Sequence, residues 1–104
     1  MRRGEVWWAE LPPPVGRRPV VLLSREEAYA VRNLVTVAPV TTRSRGIRSE
    51  VRLGPEQGLP KPCVANLDTI ATIPKAALRD RISLLPLEKI EALNAAIRFA
   101  LGLD

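Results

Sequence analysis

The chain has 104 residues, 46% of them hydrophobic, which is enough for one compact domain over residues 1–104 with a single core and little beyond it. Its net charge of +5 arises entirely in the first half: residues 1–52 hold ten Arg against five Glu, whereas residues 53–104 hold six basic and six acidic side chains. Met1-Arg2-Arg3 leads into Gly-Glu-Val-Trp-Trp rather than an apolar leader, no stretch is long enough to span a bilayer, and Cys63 is alone, so membrane insertion, a disulfide framework and a structural zinc site are all excluded and a cytoplasmic location is expected.

In chain order, residues 5–11 (Glu-Val-Trp-Trp-Ala-Glu-Leu) predict a first strand that stops at Pro12-Pro13-Pro14, where backbone donors are missing. The alternation of a strand sets Trp7 and Trp8 on opposite faces, one in the core and the other partly exposed. Arg18-Pro19-Val20-Val21-Leu22-Leu23 is continuously apolar after its Arg, as a central strand covered on both faces is. Ser24 is placed to cap a short helix through Glu26, Glu27 and Ala28 that ends by Asn33. A third strand follows over Leu34 to Thr41, and Pro39 within it predicts an edge or a bulge.

Residues 42–49 turn polar and basic and predict a loop, after which Glu50-Val51-Arg52-Leu53 alternates as a half-exposed strand. A second loop over 54–61 precedes strands at Cys63–Leu67 and Thr69–Ile73, with Asn66 and Asp68 at their junction. Pro74 starts a short helical turn. Pro86 opens a longer helix in which Leu87, Ile90, Leu93, Ile97 and Leu101 recur at helical spacing, and Gly102 stops it. Cys63 reads as a buried apolar filler. Five or six short strands with connections of two to eight residues predict a mainly β, strongly bent antiparallel barrel with short helices and a packed C-terminal helix.

The chain contains no His, which removes the histidine pair of many ribonucleases, the Ser-His-Asp triad and the Cys-His pair. The carboxylates show no metal-ligand spacing and no phosphate-cradling glycine loop is present, so neither a metal nor another cofactor is expected. What remains for phosphodiester chemistry is Arg with a hydroxyl donor, and two segments supply them at strand ends beside loops: Gly16-Arg17-Arg18-Pro19 and Val37-Ala38-Pro39-Val40-Thr41-Thr42-Arg43. If the 2'-hydroxyl of RNA attacks its own phosphate, the reaction needs charge stabilisation more than a protein nucleophile. Arg18 and Thr41 are the candidates for that role. Equally, an Arg before a strand is often only solvated, and a Thr at a strand end often only caps a turn.

These segments, together with Arg3-Gly4-Glu5-Val6-Trp7-Trp8, Arg18-Pro19-Val20-Val21-Leu22, Val64-Ala65-Asn66-Leu67-Asp68-Thr69-Ile70 and Pro74-Lys75, resemble the MazF/PemK family of toxin endoribonucleases in order and spacing over nearly the whole chain. The resemblance implies an SH3-like barrel, a symmetric homodimer, metal-independent cleavage of single-stranded RNA at a short recognition sequence, and inhibition by a small cognate antitoxin of the MazE type. It matches the family's catalytic Arg to Arg18 and its catalytic Thr to Thr41. Gly16, Arg17, Thr42, Arg43, Arg45 and Arg48 would then line the RNA path, while Asn66 and Asp68 either read a base edge or close a turn. Relatives often carry a Glu shortly before the catalytic Arg, and Pro12 to Arg17 here has none, which leaves water or a substrate oxygen as the proton acceptor. The competing readings are a gyrase poison of the CcdB type on the same fold and a noncatalytic nucleic-acid-binding barrel.

Overall fold

A computed structural model describes residues 1–103, and in it seven strands form one antiparallel sheet. They are β1 (Glu5–Glu10), β2 (Arg17–Leu22), β3 (Leu34–Thr41), β4 (Glu50–Leu53), β5 (Cys63–Asn66), β6 (Ala71–Pro74) and β7 (Leu78–Leu84). The order across the sheet is β4-β5-β3-β2-β1-β7, with β6 pairing the first half of β3 and β5 the second. Among the described residues the edge strands β4 and β7 do not pair with each other, so the sheet curls into a half-barrel. The gap is bridged by the turn at Pro55–Gln57, where Ser83 Oγ donates to the Gln57 carbonyl at 2.6 Å.

The expected central strand is central. β2 lies between β1 and β3, and its apolar run serves two faces: Val21 joins a cluster with Val6, Val40, Leu53 and Leu93, while Val20 and Leu22 join another with Ala9, Tyr29, Val35 and Val37. Alternation along β3 divides in the same way, Ala38 and Val40 on one face, Val35 and Val37 on the other. The first cluster is closed by α2 (Leu87–Leu101), which buries Leu93 and Ala96 and half-buries Ile90 and Ile97. Leu87 and Leu101, expected on that stripe, lie outside it at 73% and 58% exposure. Gly102 ends the helix in the left-handed conformation at φ 67°, its N–H donating to the Arg98 and Phe99 carbonyls.

Five expectations are corrected. β7 adds a strand where the sequence reading had none. Ser24 does not cap a helix; its Oγ accepts from Thr36 N at 2.8 Å and fastens the start of β3, while α1 (Ala28–Val31) is a single turn without a side-chain cap. Pro39 marks neither an edge nor a bulge. Leu23 N donates to Thr36 O, so the even-numbered residues of β3 bond towards β2 and the odd-numbered ones towards β6 and β5. β6 pairing ends at Val37 and β5 pairing begins at Val40, so the donor that Pro39 lacks falls between two partners. The second strand of the expected 63–73 pair starts later, because Leu67–Thr69 is a 3₁₀ turn. Trp7 and Trp8 do not divide into buried and exposed; both are half-buried.

Glu5 is the one buried carboxylate among the described residues, 5% exposed. It accepts from Arg2 N at 3.0 Å, Trp7 Nε1 at 3.0 Å and Arg81 Nε at 2.8 Å, tying β1 to the missed strand β7. Burial pushes its pKa up, but the hydrogen bonds from Trp7, Arg81 and Arg2 outweigh that and hold the carboxyl below its ordinary value. A folded-state pKa below the unfolded one stabilises the fold above the unfolded pKa of about 4.3, and this is lost as the pH falls through the folded value. Glu5→Gln is therefore expected to be about 2 kcal/mol less stable than the parent at pH 7. That deficit should close below pH 4 in denaturant titrations; a deficit independent of pH would contradict this role.

Candidate active site

Arg18 and Thr41 come together because β2 and β3 are neighbours. Their register pairs Val20 with Pro39, and carried two residues further it sets Thr41 opposite Arg18 on the same face. The hairpin that delivers Arg18 is closed by Leu11 N donating to Gly16 O, and Gly16 supplies the left-handed backbone at φ 66° that starts β2. Both side chains are half-buried and line a cleft of about 210 Å³ with Pro39, Arg43, Arg45, Asn66 and Thr69. No carboxylate is among these residues. The Arg18 and Thr41 pair thus sits in a site that is cationic and rich in donors.

Two polar side chains in the cleft have defined hydrogen-bond partners. Thr41 Oγ1 accepts from Arg43 N at 3.2 Å, which leaves its hydroxyl hydrogen to donate outwards. Asn66 Oδ1 accepts from Asp68 N at 2.9 Å, capping the 67–69 turn and leaving its amide NH₂ for the cleft. Of the two readings of Asn66, the turn is what the geometry contains, and its donor remains available besides. Asp68 is turned away, accepting from the buried Ser49 hydroxyl.

The remaining expected contacts divide. Arg43 and Arg45 reach the cleft, but Arg17 and Arg48 do not line it. Arg17 lies 4.8 Å from the centroid of the Trp8 ring and pairs with Asp80 of β7 at 3.3 Å. Arg48 stacks at 4.4 Å over Phe99 of α2. Thr42 lines two neighbouring hollows, and Gly16 shapes the hairpin without lining the cleft. Sequence reading missed Pro39 and Thr69 as walls, and above all Glu50. The Glu50 carboxylate accepts from Arg45 N at 3.0 Å, Gly46 N at 3.0 Å and Ser44 Oγ at 3.3 Å, gathering the arginine-rich loop around itself. The legible signal was a single carboxylate directly after a loop full of unpaired donors.

Neither of the other ionisable side chains with shifted titration offers a base. Burial pushes the Cys63 thiol up and keeps it protonated, and burial together with the Glu26 charge takes the Tyr29 hydroxyl up to about 12 while it donates to Ser24 O. Among the described residues no group of three or more Cys, Asp or Glu converges, and no helix is long and apolar enough to cross a membrane.

A curled antiparallel half-barrel with one C-terminal helix is the fold of a class of small toxins among solved structures. The family model of PemK-like, MazF-like toxins of type II toxin–antitoxin systems matches residues 2–101. The chain belongs to this family. It is 40% identical over 99 residues to the probable endoribonuclease MazF5 of Mycobacterium tuberculosis, covering 94% of this chain and 90% of that one, and 37% identical over 103 residues to the probable endoribonuclease MazF2 of the same organism, covering 98% and 99%. Among solved structures, the Mycobacterium tuberculosis toxin MazF-mt6 superposes with a TM-score of 0.89 at 37% identity, over 96% of this chain and 98% of that one. A mycobacterial endoribonuclease solved in complex with its cognate antitoxin does so with a TM-score of 0.88 at 28% identity, over 100% and 97%.

Proposed function

We propose that this MazF-type enzyme cuts single-stranded RNA at a short recognition sequence without a metal ion, by attack of the substrate's own 2'-hydroxyl on the adjacent phosphorus. The observation that carries this is the placing of Arg18 and Thr41 on one wall of a cleft that holds cations and donors but no carboxylate. The new bond joins the 2'-oxygen to phosphorus and the bond to the 5'-oxygen breaks, leaving a 2',3'-cyclic phosphate and a 5'-hydroxyl. Negative charge gathers on the nonbridging oxygens in the transition state. The Arg18 guanidinium and the Thr41 hydroxyl are aimed to bind that charge more strongly than they bind the ground state. A guanidinium offers no acceptor for the 2'-proton, so that proton leaves to water or to a phosphate oxygen, and water or the same phosphate returns one to the departing 5'-oxygen.

Arg43 and Arg45 hold the flanking phosphates, and the Asn66 amide is a donor for a base or phosphate oxygen. Glu50→Ala, which frees the backbone donors at Arg45 and Gly46, is expected to lower kcat/KM about 10- to 100-fold through misplacement of the loop, with little change in Tm. An unchanged kcat/KM would remove the loop from the site.

By the same resemblance the enzyme is a cytoplasmic homodimer restrained by a cognate MazE-like antitoxin, and one relative has been solved in complex with its own cognate antitoxin. Incubation of the wild type and Arg18→Ala with a long single-stranded RNA in EDTA tests the reading. Discrete cuts by the wild type alone are expected. Intact RNA with both proteins would favour the gyrase-poison or noncatalytic reading instead.

A further inference from the structure

Beside the cleft lies a second hollow of about 160 Å³ that the chemistry above does not use. Its wall is almost wholly apolar, built from Trp8, Pro19, Val40, Leu59, Pro60 and Cys63, with Thr41, Thr42 and Lys61 completing the lining. Register explains how the two hollows relate. Trp8 pairs with Pro19, and β3 carried on from Val20–Pro39 sets Val40 beside Pro19, so these three form a row on the face of the sheet opposite Arg18. The hollow and the cleft meet where the strands end, and Thr41 lines both.

We infer that this hollow is a base subsite, which takes the nucleobase next to the scissile phosphate by stacking against Trp8. The inference rests on the nuclease reading above. A strand of RNA crossing the sheet end at Thr41 presents its phosphate to Arg18 on one side and has an apolar, aromatic-walled recess within one nucleotide on the other. Unstacked bases are what single-stranded RNA offers to such a wall.

Two features favour a base over an apolar side chain of a protein partner. The hollow has a cation, Lys61, among its lining residues, and the Arg17 guanidinium, paired with Asp80, lies 4.8 Å from the Trp8 ring centroid. Arg17 is not among the residues that line the hollow. The path also continues: a third hollow of about 280 Å³ shares Thr42 and Cys63 with this one and brings Arg52, a cation for the next phosphate.

The test uses an RNA whose cut site has been mapped with the wild type, blocked by one 2'-deoxy nucleotide at the cut and made abasic in turn at the nucleotide on either side. The wild type is expected to bind one of the two abasic RNAs about tenfold more weakly than the intact one. Trp8→Leu, which keeps an apolar side chain but no ring, is expected to bind the intact RNA about tenfold more weakly and to show no further loss with that abasic RNA. Trp8→Phe should stay close to the wild type in both.

Equal binding of all three RNAs by the wild type overturns the inference whether or not any variant folds. A full abasic penalty in a folded Trp8→Leu also overturns it, and leaves the nuclease reading standing. Loss of antitoxin binding alone in Trp8→Leu assigns the hollow to a protein partner and sinks the base subsite. A wild type that cuts no RNA sinks the nuclease reading and this inference together.

Discussion

Arg18→Ala is expected to lower the rate of RNA cleavage by about 10²- to 10³-fold, the cost of removing one preorganised charge donor from a transition state of this type. The loss should fall on kcat more than on KM, because Arg43 and Arg45 remain to hold the flanking phosphates while the charge that grows on the reacting phosphate loses its partner. Arg18→Lys keeps the charge but not the planar fork, and is expected to fall between the two. Single-turnover cleavage of one defined RNA separates these outcomes. Because Arg18 is half-buried at the start of β2 and its side chain joins no ion pair among the described residues, Tm should move little. An Arg18→Ala protein that folds and cuts at the wild-type rate would remove the centre of the mechanism.

Thr41→Val should cost about 10- to 100-fold in cleavage rate, and Thr41→Ser should restore most of it. Arg43 N already donates to Thr41 Oγ1, so the hydroxyl hydrogen points elsewhere, and valine removes that donor while keeping the branched shape that suits a strand. Valine also deprives Arg43 N of its acceptor. A Thr41→Val defect that serine does not rescue, or one that appears as a lowered Tm, would make Thr41 a turn-closing residue and leave Arg18 as the only charge stabiliser of the pair.

How far the sequence could be read depended on which residues carry more than one role. The two-sided core was legible in Val20-Val21-Leu22, because continuous apolarity has one simple cause in a sheet. β7 was not legible in Leu78-Arg79-Asp80-Arg81-Ile82-Ser83-Leu84, for two physical reasons. It is an edge strand with three successive exposed charged residues, and its pairing with β1 shifts register after Val6 and again after Trp8, which breaks the two-residue period. Ser24 misled because a Ser ahead of acidic residues suits a helix cap, whereas here a backbone N–H from β3 twelve residues on takes its hydroxyl.

The candidate site was legible in its centre and not at its margin. Arg18 and Thr41 stand at strand ends, where alternation and strand order determine direction, so their meeting follows from neighbouring strands. The loop arginines carry no such rule. Arg45 reaches the cleft because Glu50 gathers the loop backbone, and Arg48 leaves it because Phe99 of α2 offers an aromatic face. Arg17, next to Arg18 in sequence, projects to the other side of β2 and is held by Trp8 and Asp80. Contacts across 50 or more residues place Arg17 and Arg48, and charge counts do not contain them.

The central claim is that the RNA supplies its own nucleophile. One substrate with a single 2'-deoxy nucleotide at the mapped cut tests it against the unmodified RNA in EDTA. The account predicts that both bind alike, that the unmodified RNA yields a 2',3'-cyclic phosphate and a 5'-hydroxyl, and that the modified one stays whole. Cleavage of the 2'-deoxy substrate at the same bond would contradict it.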